Sequence, residues 1–120
     1  MDDGRPIFLQ IAAQIETSII DGSLAEEAQV PSTNELAAFH RINPATAAKG
    51  VNQLVDDGVL YKKRGIGMFV SPGAQAKLRQ RRRDQFAVQY LQPLLTEAAK
   101  LGIPTAELKA MIERYEENAQ

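Results

Sequence analysis

The 120-residue sequence predicts a mostly helical chain with one small β-hairpin, an α+β fold. Three observations carry this. Apolar residues recur at helical spacing through most of the length. Capping residues and glycines stand where those stretches begin and end. Only residues 59–70 have strand character, and Arg64-Gly65-Ile66-Gly67 divides them in two.

The first helix runs from Pro6 to Asp21, with Phe8, Ile11, Ala12, Ile15 and Ile19 on one apolar stripe. Pro6 suits its first turn and Gly22 the position after its last. Residues 23–31 form a loop. Ser32-Thr33-Asn34-Glu35 then reads as a capping box, in which the serine hydroxyl and glutamate carboxylate each take the other's backbone N–H. It opens a short helix offering Leu36, Ala37 and Phe39 to the core. His40-Arg41-Ile42 is the turn. Asn43 as N-cap and Pro44 at the first helical position start a third helix. Its inward residues are Ala47, Val51, Leu54 and Val55, and Gly58 ends it. Residues 59–63 and 68–70 are the hairpin strands.

Ser71-Pro72-Gly73 is the best internal boundary, giving units 1–73 and 74–120. Beyond it the chain is helical again. Pro93 stands inside this pattern and should kink or break the helix, at about 3 kcal/mol in an ordinary interior. Gly102-Ile103-Pro104 is a turn, with Thr105 as N-cap of the last helix.

Helix, short helix, turn, helix and hairpin is the order of a winged helix-turn-helix, whose second helix enters the major groove of DNA while the hairpin meets the backbone or minor groove. Net charge −1 argues against nucleic acid, but the average hides a distribution. Residues 1–30 carry six acidic groups, Asp2 and Asp3 among them, against Arg5 alone. Residues 31–73 carry Arg41, Lys49, Lys62, Lys63 and Arg64 against three acids. Thr46, Lys49 and Gln53 are the first candidates for the groove: a methyl or phosphate contact, a guanine or phosphate contact, and a phosphate or base edge. Arg64, Gly65 and Gly67 form the wing, and Arg41 is a phosphate candidate. An ordinary solvated helix face is the competing reading for the first group, and a charged hairpin tip for the second. The block Lys77 to Arg83 reads by default as a solvated helix start.

Pro6-Ile7-Phe8-x-Gln10-Ile11, Pro31-Ser32-x-x-Glu35-Leu36-Ala37, Ile42-Asn43-Pro44-x-Thr46, Leu54-x-x-x-Gly58 and Arg64-Gly65-x-Gly67-x-Phe69-Val70 together resemble the GntR family of bacterial transcription regulators. Asn-Pro-x-Thr and the short C-terminal part resemble its YtrA subfamily. The motifs cover residues 6–70; residues 74–120 match by length and helical character. The resemblance implies a dimer that binds an operator and represses a neighbouring operon, often one for a transporter. It adds Asn34, able to bind adenine or a phosphate, and Asn43 of the Asn-Pro-x-Thr entry to the DNA-binding set; Ser32, first a cap, joins them if its backbone N–H faces phosphate. Asn34 stands where the family commonly has arginine, Lys49 where similar members carry arginine, and Ala47 and Ala48 where larger residues are common.

The tail carries Phe86, Tyr90, Leu91, Leu94, Leu95, Leu108, Met111, Ile112 and Tyr115. Two isolated helices bury too little to cover these, so a homodimer interface is expected. An effector pocket between the tail helices would be cramped, and a small-molecule effector stays open as a further partner. A protein-interaction module acting through the tail is the alternative function.

Enzymatic chemistry finds no footing. There is no phosphate-binding Gly-rich loop, no nucleophile elbow and no histidine–carboxylate cluster. The absence of cysteine, with His40 the lone histidine, leaves no expected metal or cofactor. No apolar run approaches membrane length, and the first residues lack the order of a secretory signal, so the expected location is cytoplasmic.

Overall fold

The computed structural model of the protein describes residues 4–119. Asp2 and Asp3, counted above with the acidic first segment, lie outside them. The described elements are α1 (Ile7–Ile20), α2 (Thr33–His40), α3 (Pro44–Asp56), β1 (Leu60–Lys63), β2 (Gly67–Val70), α4 (Ala74–Phe86), α5 (Gln92–Lys100) and α6 (Thr105–Asn118). Two compact units divide between Gln80 and Arg81, inside α4.

In the first unit the apolar stripe of α1 packs with α2, α3 and the hairpin. Ile11, Ile19, Val51, Leu54, Leu60, Val70 and Leu78 are all buried. Pro6 sits just before α1 rather than in its first turn, and Asp21 and Gly22 close the helix. Leu36 and Ala37 of α2 are buried as expected, but Phe39 is 83% exposed. At about 100° per residue, Phe39 lies only about 60° from Leu36 but on the side away from Ala37, about 110° from the middle of the inward face that the Leu36–Ala37 pair sets, so it stands at the solvent edge of that face.

The capping box is complete. The Glu35 N–H donates to Ser32 Oγ at 3.1 Å, and the Ser32 N–H to the Glu35 carboxylate at 3.1 Å. The Ser32 backbone N–H, then its side chain, holds the Glu35 carboxyl below its ordinary range. The sign follows: a depressed carboxylate stabilises the fold above its unfolded pKa, about 4.3, and that contribution fades as pH falls through and below that value. A Glu35→Gln variant should therefore show a shallower acid limb in its urea midpoint between about pH 5 and 3. An unchanged limb would mean the carboxylate adds nothing to the cap.

The hairpin pairs Leu60 with Val70, Tyr61 with Phe69, Lys62 with Met68 and Lys63 with Gly67. The segment read as a loop also joins it. The Glu27 N–H donates to Val70 O at 2.8 Å, Val70 N–H to Ala28 O at 3.0 Å and Val30 N–H to Met68 O at 2.9 Å. β2 is thus paired along both edges. Positive φ at Glu27 and the proline after Val30 keep this third rung too short for a strand signal.

The start of α4 completes the unit. Arg79 donates to Ile20 O through Nε at 3.2 Å and Nη2 at 3.0 Å, and Lys77 Nζ to Asp57 O at 2.6 Å. Two residues of the basic block therefore cap the C-terminal ends of α1 and α3, where cations are favoured by the helix dipole. Arg79→Ala should lower the thermal midpoint by about 4 °C. No change on a melting curve would show that water replaces the guanidinium without loss.

In the second unit, Pro93 is accommodated by a π-helical turn over Ala87–Leu91. The Gln92 N–H reaches back five residues to Ala87 O. An uninterrupted α-helix would press the proline ring against the Gln89 carbonyl and leave that carbonyl without its donor. The wider turn instead places Pro93 in the first turn of α5, where its missing N–H is least costly. Gly102 (φ 70°) and the Ile103 N–H bond to Ala98 O end α5. Thr105 is not an N-cap. Pro104, extended at φ −71° and ψ 158°, takes the cap position, and Thr105 is already helical.

Candidate nucleic-acid interface

Asn43 Oδ1 accepts the Ala45 N–H at 2.7 Å and sets the start of α3. The helix then displays Thr46, Lys49 and Gln53 within about 60° of arc, as their spacing requires. Thr46 is half-buried; Lys49 and Gln53 are exposed. Gln53 Nε2 lies 3.4 Å from Asp57 Oδ1, so the exposed face loses positive potential toward its C-terminal end. Lys49 does not hang free. Its Nζ stands 4.1 Å from the centroid of the Phe8 ring at the start of α1.

Ser32 and Asn34 are exposed at the first turn of α2, the serine hydroxyl already engaged as cap. Arg41 closes α2 in the left-handed conformation, φ 56°. A non-glycine residue there costs about 1 kcal/mol, and the exposed guanidinium is what a glycine would lack. Arg41→Gly should raise stability by about 1 kcal/mol while weakening DNA binding a few-fold. Stabilisation with unchanged binding in a titration would remove Arg41 from the interface.

At the wing, the Ile66 N–H bonds Lys63 O at 2.9 Å across the turn. Gly65 and Gly67 adopt φ 77° and 146°, which disfavour side chains. Gln29 Nε2 donates to Ile66 O at 3.0 Å. Arg64 is exposed at the tip. Lys63 instead lies against the strand, 4.4 Å from the Phe69 ring centroid. The Tyr61 hydroxyl donates to the Glu27 carboxylate, which pushes the tyrosine pKa up.

Phe8, Gln29 and the Glu27–Tyr61 pair are the parts of this surface that sequence reading did not single out. Phe8 stood in the α1 stripe and in the Pro6-Ile7-Phe8-x-Gln10-Ile11 motif, with nothing to tie it to Lys49. The other contacts join residues more than thirty positions apart and leave no local signal.

Among the described residues, no three His, Asp or Glu gather to hold a metal, and no helix is long and apolar enough to cross a membrane.

A family model for the bacterial regulatory proteins of the gntR family matches residues 8–70. The chain belongs to the GntR family. It is a DNA-binding transcription regulator of winged-helix fold. The HTH-type transcriptional repressor YtrA of Bacillus subtilis is 28% identical over 107 residues, 89% of this chain and 82% of that protein. The HTH-type transcriptional repressor NagR of the same organism is 38% identical over 66 residues, where this chain spans 27% of the relative's length. The crystal structure of a GntR-family regulator from Bacteroides thetaiotaomicron superposes with TM-score 0.75 at 32% identity, covering 95% of this chain and 99% of that one. The DNA-binding domain of AraR, solved in complex with its operator ORX1, matches with TM-score 0.55 at 28% identity, over 59% of this chain and 86% of that one.

In the second unit, Phe86, Tyr90, Leu91, Leu94, Leu95, Ile112 and Tyr115 are all exposed, and Met111 is half-buried. Leu108, grouped with them from sequence, is 7% exposed and fills the tail's own small core. An apolar groove lined by Leu94, Leu108, Met111, Ile112 and Tyr115 runs along this unit.

Proposed function

We propose that this GntR-family regulator is a cytoplasmic, homodimeric repressor of a palindromic operator, and that its target is a neighbouring operon of the transporter class. The observation that carries the reading is the row Thr46, Lys49 and Gln53 on the exposed face of α3, the second helix of a helix-turn-helix with a basic wing. Lys49 and Arg64 supply charge for phosphate, Thr46 and Gln53 reach toward base edges, and Ser32, Asn34, Arg41 and Asn43 fix the docking on the backbone. Gly65 and Gly67 keep the wing thin enough for a groove. The exposed apolar face of the tail supports the dimer, because patches of this kind mark association surfaces.

Fluorescence anisotropy against the duplex upstream of its own gene tests this. Salt-sensitive, sequence-selective binding is expected. Lys49→Ala and Arg64→Ala should each weaken it about tenfold and lower the salt slope by about one. Equal affinity for scrambled duplexes would sink the operator reading. If both substitutions leave function intact while a tail substitution abolishes it, the tail-borne protein-interaction module is the better account.

A further inference from the structure

We propose that Phe8, outside the helix-turn-helix, is a positioning residue for DNA binding that acts by holding the Lys49 ammonium. The proposal rests on the reading of Lys49 as a DNA contact. The ring centroid lies 4.1 Å below Nζ, well inside the range where an ammonium is attracted to an aromatic face. The placement follows from the backbone. α1 and α3 cross so closely that a Cβ built on Gly50 would stand 2.7 Å from Phe8 O, and this crossing brings the first turn of α1 beside residue 49. A free lysine loses rotamer freedom along its whole stem when it settles on a phosphate. A lysine already resting on a ring loses less. The ring face uses no hydrogen-bond acceptor, so the ammonium keeps its three donors for the ligand. Lys63, the other lysine seen over rings, lies along the hairpin strand, whereas Lys49 stands on the helix proposed to enter the groove.

A double-mutant cycle tests the idea on the duplex that the wild-type protein enriches most from a randomised pool. Phe8→Leu should weaken binding about threefold to fivefold, and Phe8→Tyr should restore it. In a Lys49→Ala background Phe8→Leu should change nothing, which a merely structural role would not produce. An equal loss in both backgrounds, or no loss in the wild type, overturns the proposal. If Lys49→Ala binds like wild type, the Lys49 reading fails and this inference with it, while a loss at Arg64→Ala keeps the DNA-binding head. Should Phe8→Leu fail to fold, the wild type supplies the readout. The Lys49 ε-methylene protons should show an upfield ring-current shift both free and with the duplex bound; its disappearance on binding overturns the proposal.

Discussion

Leu94→Asp is expected to turn the protein into a monomer and to reduce operator affinity by about 10²- to 10⁴-fold. Leu94 is 41% exposed beside Leu91, Leu95, Phe86 and Tyr90, each more than 40% exposed. Among the described residues of the second unit only Ala98 and Leu108 are buried. A two-helix tail with so small a core does not account for its own apolar residues; a second copy laid on the same face would. A carboxylate placed in that seam is uncompensated and opposes its closure. The loss in affinity follows from geometry. Two heads held together meet two half-sites as one ligand, whereas separate heads must each bind alone. Sedimentation equilibrium and anisotropy measured on one preparation check both halves. The first unit keeps its own core, so its circular dichroism should persist and exclude global unfolding. A variant that stays dimeric, or a wild type that is monomeric and binds as tightly, would remove the tail from the assembly.

The sequence made most of the first unit legible because its rules are local. Ser32 with Glu35, and Asn43 with Pro44, act within one turn of chain, and the periodicity of α1 and α3 names its own buried face. The misreadings fall where a distant partner decides. Lys77 and Arg79 look like a solvated block until the carbonyls of Asp57 and Ile20 are placed beside them. Residues 27–30 look like a loop until β2 supplies their hydrogen bonds. Phe39 fits an apolar pattern that is too short, over eight residues, to show which face is inward. Pro93 did announce a disruption, but not its form. A π-helical turn preserves the helical path that a break would have lost. In the candidate interface, α3 and the wing were legible by residue type and spacing. The support beneath Lys49 was not, because cation–ring contacts between helices have no sequence period.

Gly50 shows how such a hidden contact sets stability. Glycine in a helix interior costs about 1 kcal/mol relative to alanine, so Gly50→Ala should help if α3 were judged alone. The crossing with α1 reverses the sign. A Cβ at this position would stand 2.7 Å from Phe8 O and 3.3 Å from Ile11 Cβ. The first neighbour is backbone and lacks the freedom of a flexible side chain to swing aside. Either α1 moves away or the contact is strained, and overpacking of this kind costs about 1–3 kcal/mol. Gly50→Ala should therefore lose about 1 kcal/mol net and Gly50→Val about 3 kcal/mol, a large share of the roughly 5–15 kcal/mol that holds a small domain together. Urea denaturation measures both. A stabilised alanine variant would mean that α1 yields freely, and the close crossing would then be no constraint. A destabilised one has a second consequence. Shifting α1 moves Phe8 away from Lys49, so DNA binding by the folded fraction should also weaken, by no more than Phe8→Leu weakens it. Packing and recognition would then share one contact, the approach of α1 to a residue with no side chain.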